Sequence, residues 1–196
     1  MRPLWRRCFS AANQWRLRSS QVIFTDVPSW PGGPELPATE EIAGNRGISM
    51  RKIVAELFSS LDGVVGSPYE EHVGYWPTAT GGLADRMNDI RKVVFSASLP
   101  ALEWRNSTLV SGNAIEEIAR LKGEPGKDIV VTGSVTLVQD LLRAGLLDEL
   151  RLLIDPVVVR EGRKLFEDEG DRLTCTLLAS HHYGTGTISA TYAVTG

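Results

Sequence analysis

The chain has 196 residues, 42% of them hydrophobic and 23% charged, with a formal net charge of −3. That suffices for one ordinary globular domain with its own core. The acidic balance argues against nucleic acid or an anionic membrane as partner. No apolar run approaches the ~18 residues of a membrane span, and the distant Cys8 and Cys175 offer neither a disulfide framework nor a zinc cluster.

Arg2, Arg6, Arg7, Arg16 and Arg18 crowd the first 25 residues, which contain no acid. Such a composition fits a mitochondrial transit peptide. It fits equally a start placed upstream of a natural beginning at "GISMRKIV" (47–54), and this second reading is favoured, with a cytoplasmic protein as the expectation. Residues 27–47, "VPSWPGGPELPATEEIAGNRG", are proline-rich and read as a linker. Residues 1–49 are therefore expected to be an extension, disordered or spurious, and 50–196 the folded domain.

From Met50 the pattern changes. "RKIVAELFSS" reads as a strand, with Ile53, Ala55 and Leu57 alternating against Val54, Glu56 and Phe58, and it runs into turn chemistry at Asp62-Gly63. "GGLADRMNDI" predicts a short helix and "KVVFS" (92–96) a buried strand. "NAIEEIARLK" predicts a helix capped by Asn113, with Glu116 three residues on and Gly123 as its stop. "DIVVT" is a strand and "TLVQDLLRAGL" an amphipathic helix. "ELRLLIDPVVV" is a strand that Pro156 must interrupt, and "RLTCTLLAS" and "GTISATYAV" form a hairpin through "HHYGTG". Alternating strands and helices imply crossovers and a largely parallel sheet, made mixed by the terminal hairpin.

Between the third of these strands and its helix stands "VVTGSVTLVQDLL" (130–142). A strand, a glycine turn and a helix start together make an anion site, because the first helical N–H groups are unpaired and the dipole is positive there. Gly133 would let a phosphate approach, and Ser134 or Thr136 would cap the helix or donate to a phosphate oxygen. A plain strand-to-helix turn needs the same residues, and the G-x-G-x-x-G pattern is absent. His181 and His182 are adjacent in a strand end and His72 is isolated, so no metal site is expected. Asp62 ends a central strand, where it either faces a polar substrate or forms an Asx turn.

Taken in order, "MRKIVAELFSSLDGVV", "KVVFS", "LKGEPGKDIVVTGSVTLVQDLLRAGLLDELRLLIDPVVV" and the terminal strands resemble the dihydrofolate-reductase-like family. Within it they are most similar to the reductase domain of bifunctional riboflavin-biosynthesis deaminase-reductases. The resemblance implies a three-layer α/β fold, its mixed, mostly parallel sheet ending in an antiparallel hairpin. It implies an NADPH-dependent reductase passing hydride to a small heterocyclic or ribose-derived substrate, of the kind that reduces 5-amino-6-(5-phosphoribosylamino)uracil. Gly133, Ser134 and Thr136 would meet the cofactor pyrophosphate, Ser96 the adenosine ribose phosphate, and Asp62 the substrate pocket. Two departures stand out. Ala97 replaces the usual basic neighbour of Ser96, and the helix-strand segment ending in Gly-Arg-x-Thr is missing after "SLDG". A lost central strand would leave backbone groups to be covered by a homodimer or by a strand from elsewhere. It also makes a poor reductase the expectation, with a non-catalytic nucleotide-binding remnant or an interaction module as the alternative.

Overall fold

A computed structural model of the chain describes residues 21–27, 51–66, 78, 80–96, 102, 104–166 and 172–195. The elements in chain order are β1 (Gln21–Thr25), β2 (Ile53–Ser60), β3 (Val65–Gly66), α1 (Gly82–Asp89), β4 (Arg91–Phe95), β5 (Ser107–Val110), α2 (Ala114–Lys122), β6 (Ile129–Val131), α3 (Val135–Arg143), β7 (Glu149–Asp155), β8 (Thr174–His182) and β9 (Ile188–Thr195). The strands form a single sheet in the order β5-β4-β1-β6-β2-β7-β9-β8, with β3 paired to β2.

Local chemistry explains most of these elements. Asn113 caps α2 by accepting from the Ile115 amide and donating to the Glu116 carboxylate, a close relative of the capping box. Ser134 caps α3, its hydroxyl accepting from the Leu137 amide. β7 ends at Asp155, immediately before Pro156, which has no N–H to offer a ladder. The period-two pattern of β2 sorts its side chains to two faces. Ile53, Ala55 and Leu57 join the main core with Ile118 and Leu121 of α2 and Leu137, Val138 and Leu141 of α3. On the opposite face α1 places Ala84 and Met87 against Phe24, Val130 and Trp104. Helices therefore cover both faces of the sheet, the three-layer arrangement expected. Among the described residues no helix is long and apolar enough to cross a membrane.

The principal correction concerns the centre of the sheet. Gln21–Thr25, assigned from sequence to a dispensable extension, is a strand between β4 and β6. It pairs antiparallel with both, Ile23 facing Val131 on one side and Val93 on the other. Ile23, Phe24 and Thr25 are completely buried. Asp26, just beyond, bonds Arg51, whose side chain is 2% exposed and also donates to the Lys127 carbonyl. A folded domain beginning at residue 50 does not fit this sheet, nor does a start at 47–54, because a central strand comes from upstream. The proline-rich linker lies outside the described residues.

β1 thus supplies a strand where the family resemblance predicted a gap, and the gap no longer calls for a partner subunit. β1 runs antiparallel to both of its neighbours. Antiparallel pairings therefore outnumber the parallel ones, β2–β6, β2–β7 and β4–β5. Its reversed course also brings Gln21, opposite Phe95, to the edge where the parallel strands end.

Candidate functional site

The C-terminal ends of β2, β4, β6 and β7 define one edge of the sheet, where open α/β folds place ligands. β6 leaves it through Thr132 and Gly133, whose φ of 140° is a conformation that glycine adopts without the penalty of a Cβ. Ser134 follows, 3% exposed, and α3 begins. The Ser134 hydroxyl takes the Leu137 amide and the Ser134 carbonyl takes the Val138 amide. That leaves the Val135 and Thr136 amides as the helix start's own donors, at the positive end of its dipole. The Thr136 hydroxyl accepts from the exposed Arg163 guanidinium at 2.6 Å. Arg163 lies 27 residues away in sequence, in a loop after β7, and no periodicity pointed to it. A glycine without a Cβ, free amides, two hydroxyls and a guanidinium make a donor set suited to a pyrophosphate.

Ser96 stands just past β4 at the same edge, its amide donating to the Val110 carbonyl. Gln21 enters β1 between the ends of β4 and β6, so Ser96 and Gly133 are two strand spacings apart, about 10 Å. The structure therefore gathers Ser96, Gly133, Ser134 and Thr136 along one edge.

Asp62 plays a different part. One carboxylate oxygen accepts from the Ser60 hydroxyl at 2.7 Å and the Val159 amide at 3.1 Å, and the other from the Arg160 amide at 2.7 Å. These donors, the Ser60 hydroxyl foremost, hold its pKa down to about 2. Asp62 pins the turn after β2 to the segment after β7. Its oxygens are engaged by the fold, which gives Asp62 a structural part at this turn.

Two groups on the sheet face opposite α2 and α3 are less well served. Glu56 is 7% exposed, and its Oε2 has no hydrogen-bond partner among the described residues. Burial pushes its pKa up to about 7, against a smaller opposing pull from Arg151. Arg151 is its register partner on β7, yet its guanidinium bonds Glu149 at 3.2 Å and its Nε is left unpartnered. An orphaned buried polar group costs roughly 1–3 kcal/mol, so each calls for an explanation. Glu56 was visible in the sequence as an acid inside an alternating apolar strand, the one signal that could have singled it out. No group of three or more metal-ligating side chains occurs among the described residues.

A mixed sheet in this order, helices on both faces and a glycine-hinged helix start at the strand ends define a dihydrofolate-reductase-like α/β fold. The chain belongs to the family of the RibD C-terminal domain, whose model matches residues 25–189. That family is reductase-like, of the riboflavin-biosynthesis type. The uncharacterized protein YyaP of Bacillus subtilis (strain 168) is 33% identical over 102 residues, 52% of this chain and 54% of that protein. The chain spans about half the length of the curated relatives it matches. Among solved structures, a Shewanella sp. PV-4 protein assigned to riboflavin biosynthesis aligns with a TM-score of 0.52 and 19% identity, covering 74% of this chain and 99% of that one. A pyrimidine reductase-like protein from Corynebacterium diphtheriae aligns at 0.50 and 13% identity, covering 74% and 92%. These two likenesses speak for the fold.

Proposed function

We propose that the chain is an NADPH-dependent reductase acting on a small heterocyclic or ribose-derived substrate. The observation that carries this reading is the donor set at the start of α3, with Arg163 bound to Thr136 behind the Gly133 turn. The Val135 and Thr136 amides and Arg163 would hold the pyrophosphate, Gly133 would admit it, and Ser96 would lie toward the adenosine end. The dinucleotide would supply hydride, and the protein's share is binding, orientation and electrostatics. The strand β1 favours a working domain over a remnant, because a remnant with a gap in its sheet would leave ladder groups unpaired.

A thermal melt with and without millimolar NADPH tests the reading. At about 100 times its Kd, a ligand that binds only the folded state stabilises it by roughly 2.7 kcal/mol. Thr136→Glu adds a negative charge that a helix start tolerates well but a phosphate does not. The expected result is stabilisation of the wild-type chain and none of the variant. Equal stabilisation of both would remove the site from α3.

A further inference from the structure

Glutamine is an uncommon residue to bury on a helix, because its amide must find partners once water is gone. Gln139 is nonetheless only 9% exposed, one of the buried residues of α3 with Val135, Leu137, Val138 and Leu141. Its Nε2 is satisfied from outside the helix, donating to the Lys164 and Leu165 carbonyls at 3.2 Å each. Those two residues directly follow Arg163, whose guanidinium donates to the Thr136 hydroxyl. Thr136 and Gln139 stand three positions apart and are therefore neighbours on the surface of α3. The segment 163–165 thus meets one helix at two points, by its backbone at Gln139 and by its arginine tip at Thr136. The sheet holds the same segment from the other side. The Arg163 carbonyl accepts from the Val65 amide at 2.8 Å, Lys164 forms a bridge with Val64, and Leu165 sits in the main core.

We propose that Gln139 is a positioning residue for the anion site. By holding the Lys164 and Leu165 carbonyls to α3, it sets Arg163 beside the helix start before a ligand arrives. This deepens the reductase reading, and rests on it only for the identity of the anion as a dinucleotide pyrophosphate. An exposed arginine ordinarily samples many rotamers, and fixing it on binding costs affinity. Arg163 is exposed yet already directed, and its bond to Thr136 uses one N–H of a guanidinium that has several more to give. Gln139 itself touches no ligand, so its effect on affinity passes through Arg163. That dependence separates it from a residue that merely stabilises α3. An apolar side chain of the same length fills the same space but leaves both carbonyls unheld. The segment would then follow the sheet, through Val65 and the core around Leu165, rather than the helix.

The test is a double-substitution cycle in the full chain, read as Kd values for inorganic pyrophosphate and for NADPH. Arg163→Ala is expected to weaken pyrophosphate about tenfold, through the loss of a charge-assisted hydrogen bond. Gln139→Met is expected to weaken it about fivefold, the cost of immobilising one long side chain on binding. Together they should bind no more weakly than Arg163→Ala alone, because an absent guanidinium cannot be mispositioned. Additive losses, or wild-type affinity in Gln139→Met, overturn the proposal, as does a wild-type chain that binds neither anion. A second measurement needs no substitution, and so covers a Gln139→Met chain that fails to fold. In nitrogen-15 relaxation of the unliganded wild type, the Arg163 Nε–H should be ordered and that of the exposed Arg160 mobile. Equal mobility of the two also overturns it. The two probes keep the readings apart. The cycle closing for pyrophosphate without NADPH binding sinks the reductase reading alone, whereas NADPH binding with additive losses sinks the positioning role alone.

Discussion

Truncating Phe24 to alanine asks whether the strand upstream of the proline-rich segment is part of the folded domain. Phe24 is fully buried in the small cluster under α1, edge-on to Trp104 with ring centroids 6.1 Å apart, and packed with Met87, Ala84 and Val130. Phe→Ala in a core costs roughly 3–5 kcal/mol, from lost transfer energy and the cavity left behind. Set against a total stability of about 5–15 kcal/mol, that is a large fraction. For a chain of this size each kcal/mol moves Tm by about 2–4 °C, so Phe24→Ala should melt roughly 6–20 °C lower. Urea denaturation followed by circular dichroism measures the loss directly. Val158→Ala, at a position 58% exposed, serves as control and should stay within about 0.5 kcal/mol of wild type. A Phe24→Ala protein within about 1 kcal/mol of wild type would refute the placement of β1, because an undocked segment has no cavity to open.

Two further outcomes follow from the ties that close the sheet. Asp62→Asn should lower Tm while leaving NADPH affinity unchanged, since the carboxylate holds the Val159 and Arg160 amides rather than a ligand. The folded pKa of Asp62, about 2, lies below its unfolded value, so its stabilisation is present above about pH 4 and lost as pH falls toward 2. The variant should lose that part of the acid dependence in melts across this range. Gly126→Ala would bring a Cβ to 2.6 Å from the Asp26 carboxylate and 3.0 Å from the Arg51 guanidinium carbon. Displacing Asp26 breaks its bonds to Arg51 and the Lys127 amide, and the expected loss is about 1–3 kcal/mol by denaturant titration.

Much of the fold was legible because its signals are local. Alternation in β2, the Asn113 cap of α2, the apolar face of α3 and the Pro156 stop of β7 each rest on residues near one another in sequence. β1 rests on none. "QVIFT" is a short apolar run between an arginine-rich stretch and a proline-rich one, and a strand buried on both faces shows no alternation to separate it from a loop. What makes it a strand is its pairing with β4 and β6, which lie about 70 and 110 residues further on. β5 escaped for a similar reason, being a four-residue strand at the sheet's margin. At the site, the Gly133-Ser134 start of α3 could be read because strand, glycine and cap are contiguous. Arg163 could not, since a loop after β7 delivers it. Asp62 was ambiguous in sequence because pocket and turn both want a carboxylate after a strand, and the Val159 and Arg160 amides that it accepts from lie almost a hundred residues away.

The most direct test of the dinucleotide site is to watch the two free amides at the start of α3. In proton–nitrogen correlation spectra of the full chain, NADPH should move the Val135 and Thr136 cross-peaks saturably, with smaller changes at Ser96. Movement confined to other parts of the chain, or none at millimolar NADPH, would contradict a pyrophosphate at this helix and the reductase reading built on it.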